Sequence, residues 1–96
     1  MNKLRFIWDD NKNETNKKKH GISFEEARDV FGDENAILFD DPDHSYEEER
    51  FLIIGITGTK GICIVSHCYR DGDSTIRIIS AREATKKEKE FYQKGW

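Results

Sequence analysis

The spacing of apolar and polar positions changes period several times along the 96 residues, and each change marks an expected element. LRFIW, Leu4 to Trp8, alternates enough for a short strand. The stretch from Asn11 to Lys19 is polar throughout; it reads as a helix capped by Asp9 or Asp10 and closed at His20 by Gly21. Phe24, Ala27, Val30 and Phe31 then recur at helical spacing behind a Ser23/Glu26 capping box, which predicts a second helix ending near Gly32. AILFD reads as a strand. RFLIIGIT and ICIVSHCYR read as two more, joined by the turn residues GTKG. Asp71-Gly72-Asp73 turns the chain into STIRIISAR, and Thr85 with Glu88 forms the capping box of a last helix.

The resulting order, β-α-α-β-β-β-β-α, predicts an α+β fold: a twisted, mainly antiparallel sheet packed against helices. Phe24, Val30 and Phe31 are expected in the core, because burying each is worth roughly 1.5–3 kcal/mol, more than a surface charge contributes. Pro42 is the single proline and no Ser/Gly/Pro-rich linker is visible, so residues 1–96 are expected to form a single domain.

Charge and cysteine content narrow the function. A net charge of −3 argues against a protein that coats nucleic acid indiscriminately. The charge is uneven: DDPDHSYEEE, Asp40 to Glu49, is almost all acid and reads as a solvated loop, whereas from Gly61 onward seven Lys/Arg stand against five Asp/Glu. Any RNA site must therefore be a local cationic patch. No apolar run approaches the ~20 residues that span a bilayer, and the charged start MNKLRFIWDD lacks a signal-peptide core, so a cytoplasmic protein without membrane contact is expected. Cys63 and Cys68 fall in one strand about 16 Å apart, beyond disulfide reach. His67 adjoins Cys68, but neither CxxC nor HxxxH spacing occurs, so neither a metal site nor a cofactor is expected. GTKG lacks the phosphate-loop pattern, and His44-Ser45 lacks a nucleophile elbow; with Glu48 and Arg50 they read as a loop-ordering group.

The run Ile76 to Tyr92 carries the most chemistry. Arg77 and Arg82 lie on or beside a β-branched strand that gives way to a capped helix, and fixed guanidinium groups grip phosphate bidentately. Surface pairing with the many carboxylates is the plainer alternative. Arg77 and Arg82 are an odd number of residues apart, so a regular strand places them on opposite faces unless it bulges or ends near Ser80. Arg82 is favoured for the site, with Arg70 across the hairpin, while Arg77 is expected to pair with acid and Glu83 to bridge Arg82, a role as base being the alternative for Glu83. His20 stands in a lysine-rich stretch with Lys17, Lys18 and Lys19; histidine titrates near neutrality, and crowded cations lower one another's proton affinity. Closing the helix C-terminus is the alternative role for His20. Tyr92 is either a core aromatic or a base-stacking platform, and His67 is expected to be a half-buried sheet histidine.

Three segments, FIWDDNKNETNKKKHGISFEEARDVF, DHSYEEERFLIIGIT and IRIISAREATKKEKEFY, taken in this order, resemble the BrnT family of bacterial toxins. The resemblance spans nearly the whole chain. It departs at the lysine-rich Asn16 to Lys19 and at Ser66 to Tyr69. It implies a RelE-like ribonuclease of a type II toxin-antitoxin pair, which cleaves RNA, inhibits translation and is neutralised by a BrnA-like ribbon-helix-helix antitoxin in a hetero-oligomer that binds operator DNA and represses its own promoter. Metal-independent cleavage by the ribose 2′-OH needs a proton acceptor, a proton donor and positive charge on the phosphate. Lys19, His20, Arg70 and Arg82 are the catalytic candidates; Lys18, Arg77 and Tyr92 are the RNA-binding ones. A non-catalytic subunit of a transcriptional repressor is the alternative.

Overall fold

The structure is a computed structural model that describes residues 4–41 and 49–95. Among the described residues five strands form one sheet in the order β1-β5-β4-β3-β2: β1 Arg5–Ile7, β2 Ile37–Asp40, β3 Phe51–Thr57, β4 Gly61–Arg70 and β5 Thr75–Glu83. Strands β2 to β5 are antiparallel neighbours, and β1 runs parallel to β5. That parallel pairing joins the first strand of the chain to the last. At the β4–β5 turn Asp71, Gly72 and Asp73 all take left-handed backbone, which glycine adopts freely and aspartate tolerates.

Helix α1, Asp10–His20, has the cap geometry its sequence suggests: Asp9 accepts the Lys12 N–H, and Gly21 at φ 71° closes the end. Its surface is polar all round, so no apolar stripe docks it. Two buried asparagines do so instead. Asn13 accepts the Phe24 N–H and donates to Glu25, both at 2.8 Å, tying α1 to the start of α2, Phe24–Ala27. Asn16 faces the sheet. The helix expected to reach Gly32 is α-helical only to Ala27 and tightens into a 3-10 segment, Arg28–Gly32, which lets Val30 and Phe31 follow the sheet closely.

One face of the sheet is sealed by these N-terminal elements. Ile22, Phe24, Ala27 and Val30 pack on Ile53, Cys63, Val65, Ile76, Ile78 and Ala81, with Phe31 partly buried beside them. Gly55 marks the closest approach, since a Cβ there would stand 2.9 Å from a Val30 methyl carbon. His67 lies in this layer, fully buried rather than half-buried, with its ring edge-on to Phe31 and its nitrogens 3.2 Å from the Val65 carbonyl and 3.3 Å from the Tyr69 hydroxyl. Burial lowers its pKa, so the neutral ring is favoured. The two cysteines are free and buried.

The opposite face carries a smaller cluster, Ile54, Ile64 and Ala84, against which α3, Lys86–Lys94, packs through Tyr92. Thr85 and Glu88 complete the expected capping box. Among the described residues, no helix is long and apolar enough to cross a membrane.

Candidate functional site

The ladder between β4 and β5 decides where the arginines point. Val65 pairs with Ala81 and Ser66 with Ser80, but His67 then pairs with Ile78, so Ile79 is an extra residue on β5. Beyond such a bulge the alternation of side chains resumes out of phase. Ile76 and Ile78 accordingly share the sealed core with Ala81, an odd step away. Arg77, Ser80 and Arg82 therefore lie together on the other face, and the parity that would separate the two arginines is cancelled.

Arg70, opposite Thr75, and Arg77, opposite Cys68, are diagonal neighbours on that same face. Arg82 lies opposite Ile64, about 20 Å along the ladder from Arg70 and about 13 Å from Arg77. The expected juxtaposition of Arg70 with Arg82 is thus not found; the antiparallel register pairs the start of one strand with the end of the other, and Arg77 is the arginine beside Arg70. The three form a row, not a cluster.

Arg82 is held in a fork. Its two terminal nitrogens donate to the two carboxylate oxygens of Glu88 at 2.8 and 2.9 Å, and Nη1 also donates to the Glu83 carbonyl at 3.2 Å. The partner is Glu88 and not Glu83, because one turn of α3 swings the capping-box carboxylate back over the strand end, whereas the Glu83 side chain leaves on the opposite face. Among the described residues an ion pair is found at Arg82, with Glu88 in place of the expected Glu83, and the acid pairing expected of Arg77 is not found. Bonding to Arg82, with the Thr85 N–H assisting against partial burial, lowers the Glu88 pKa to about 2.

The α1 candidates approach the same strand from its side. Strand β1 covers β5 only from Thr75 to Arg77, leaving the later edge of β5 to α1. Lys12, Thr15, Asn16, Lys19 and His20 line a cavity of about 230 Å³ together with Ile79 and Ser80. Lys19 and His20 are exposed at the last turn of α1, and Ser80, on the arginine face between Arg77 and Arg82, is their link to it. Lys18 is exposed outside this cavity. Lys17 turns to Glu14 at 2.8 Å, and that bond raises its pKa, the opposite of the lowering expected from crowded lysines.

Tyr92 is partly buried on the Ile54/Ile64 cluster, and its hydroxyl donates to Asp33 at 2.5 Å. That bond raises its pKa to about 12. Asp33 also accepts the Ile56 N–H at 2.8 Å, at the stretch of β3 that β2 does not reach. The group suggested for His44, Ser45 and Glu48, and most of the acidic loop, lie outside the described residues. Among the described residues no group of three or more His, Cys, Asp or Glu is arranged to hold a metal ion.

Asn16, Ser80 and the Glu88 fork were not singled out from the sequence. An asparagine in the middle of a helix, where its propensity is poor, is the signal that points to Asn16.

Comparison with known proteins matches residues 8–88 to the family described as ribonuclease toxin, BrnT, of type II toxin-antitoxin system. The chain belongs to the BrnT family. A matching solved structure is the crystal structure of the Brucella abortus ribonuclease toxin BrnT, 27% identical, covering 88% of this chain and 100% of that one with a TM-score of 0.66. No curated protein matches. Membership of the BrnT family carries ribonuclease activity and an antitoxin partner, and the matched region contains every arginine of the row together with Lys19 and His20.

Proposed function

We propose that this BrnT-family chain is a metal-independent endoribonuclease that cuts RNA by attack of a ribose 2′-oxygen on its own phosphate. The observation that carries the reading is the β5 bulge, which sets Arg77 and Arg82 on one face with Ser80 between them and with Lys19 and His20 on the adjoining edge. The row Arg70, Arg77, Arg82 follows an RNA backbone as a line of bidentate phosphate donors. Arg82 stabilises charge on the reacting phosphate, its Glu88 partner yielding as the phosphate arrives. His20 and Lys19 carry the proton from the 2′-oxygen or to the leaving 5′-oxygen. Lys18 adds affinity beyond the cavity, and Tyr92 supports the Arg82 end through α3.

In this reading the single domain of residues 1–96 works in the cytoplasm and inhibits translation by destroying RNA. A BrnA-like ribbon-helix-helix antitoxin covers the cationic row, and the hetero-oligomer binds operator DNA through the antitoxin and represses its promoter; an acidic toxin alone has little affinity for duplex DNA.

The test is end-group analysis of RNA treated with the purified chain in excess chelator. Cleavage should persist and leave 2′,3′-cyclic phosphate ends. Loss of cleavage that Mg²⁺ restores would overturn the mechanism. Absence of cleavage under every condition would favour the non-catalytic repressor subunit. A ternary mixture of RNA, toxin and antitoxin that still cuts at full rate would rule out inhibition by occlusion.

A further inference from the structure

Ala81 stands in a non-hydrogen-bonded pair position opposite Val65, so its N–H and carbonyl both point away from β4. On that side β1 has already ended at the level of Arg77. A buried strand edge with two unanswered peptide groups is costly, and here one side chain answers both. Asn16 Oδ1 accepts the Ala81 N–H at 3.1 Å, and Asn16 Nδ2 donates to the Ala81 carbonyl at 2.9 Å. The amide thus repeats the contacts that a neighbouring peptide would make. Its second Nδ2 hydrogen goes to the Ile22 carbonyl at 2.9 Å, just past the Gly21 cap.

We infer that Asn16 is a positioning residue for RNA cleavage, fixing the last turn of α1 against the bulged strand so that Lys19 and His20 are in register with Arg77 and Arg82. The inference rests on the site assignment proposed above. Three facts converge on it. Asn16 precedes Lys19 and His20 by three and four residues, so all three share one helix face and one cavity. The residue it grips, Ala81, lies between Ser80 and Arg82. Asn16 is 6% exposed, both donor hydrogens of its amide are engaged and its oxygen accepts the Ala81 N–H, so α1 cannot slide along β5 without breaking a buried bond. A helix with no apolar stripe has no packing ridge to set its register, and this side chain supplies one. Asn13, one turn earlier, has similar burial and a comparable set of bonds, but it grips α2 and not the strand.

That pair of asparagines provides the experiment. Steady-state cleavage of a single-stranded RNA oligonucleotide is measured for the parent, Asn16→Ala, Asn16→Gln and Asn13→Ala, with rates normalised to the folded fraction from thermal melts. A displacement of about 1 Å at reacting groups can lower a rate ~10²-fold. Asn16→Ala should lose about that much in kcat with a much smaller change in KM, because the phosphate-gripping charges remain; Asn13→Ala should keep the parental kcat per folded molecule. Asn16→Gln retains the amide and so the fold, yet its extra methylene pushes α1 outward, and it too should lose kcat. Equal kcat in the Asn16 and Asn13 variants, or a loss confined to KM, would overturn the positioning role and leave the site assignment intact. If Asn16→Ala fails to fold, a folded Asn16→Gln with parental kcat would overturn it alone. A parent that cuts no RNA would sink both readings.

Discussion

The two faces of the sheet are built from the same strands and carry different residues. Under α1, α2 and the 3-10 segment, Phe24, Val30, Val65, Ile76 and Ile78 leave no room for solvent, and even a histidine, His67, is held there with both nitrogens bonded and its charged form disfavoured by burial. On the other face the apolar cluster is confined to the α3 end, and the strands carry Arg70, Arg77, Ser80 and Arg82 instead. His20, on the edge joining the two, is exposed where His67 is fully enclosed. A sheet of this size can commit one side to stability and the other to chemistry only if side-chain alternation is kept in phase with the packing. The bulge at Ile79 shifts that phase within one strand, and the strand contributes to the core and to the arginine row along its whole length.

If this division holds, damage to the sealed face should cost stability and damage to the arginine face should cost rate. Phe24→Ala, at a fully buried position, should lower unfolding free energy by about 3–5 kcal/mol in denaturant titrations. An effect below about 1 kcal/mol would mean that the helical layer is not the main core. Arg82→Lys keeps charge but not the planar fork, and should reduce cleavage by ~10²–10³-fold while moving the unfolding midpoint little. Arg77→Lys should cost less. Parental rates in both variants would make the row structural and leave the division of labour without its chemical half.

Much of this arrangement was readable in the residues because it rests on local rules. Both capping boxes, the Gly21 closure, the hairpin and the Asp-Gly-Asp turn follow from short spacings that specify their own hydrogen bonds. The parallel pairing of β1 with β5 is a long-range choice that no local period encodes. The bulge was hidden because Ile76, Ile78 and Ile79 are equally suited to either face; only the register against β4 shows which is extra. Adjacency in the sequence pairs Arg82 with Glu83, although neighbours on a strand point apart and a capping glutamate one helical turn away can reach back. Asn16 looks like part of a polar helix face because a hydropathy pattern treats a buried, hydrogen-bonded amide like a solvated one.

A smaller test addresses the Arg82–Glu88 fork directly. The Glu88 pKa is near 2 in the folded chain against about 4.5 when free, so its contribution is fully present above about pH 4.5 and is lost as pH falls through about 2. Both side chains remain substantially exposed, at 42% for Arg82 and 31% for Glu88, so screening leaves about 1 kcal/mol. Denaturant midpoints of the parent should therefore fall between pH 4.5 and 2 by more than those of Glu88→Gln. Identical slopes would show that the fork does not anchor the Arg82 end of the row.

The smallest expected effect lies where α3 meets the far edge of β3. Tyr92 donates to Asp33, which also caps the Ile56 N–H, so this one carboxylate joins the 3-10 segment of the sealed face to the helix of the open face. The folded Tyr92 pKa is raised to about 12, principally by that bond, from an ordinary value near 10. Its contribution is therefore complete below about pH 10 and is lost as pH rises through about 12. Because the hydroxyl is close to solvent, Tyr92→Phe should cost only about 0.5 kcal/mol near neutrality, the low end for a single hydrogen bond. Ultraviolet titration of the folded parent should then show a tyrosine ionising near pH 12 that the variant lacks. Unchanged titration in Tyr92→Phe would mean that Asp33 does not hold the two layers together through α3, and the faces would be joined by the sheet alone.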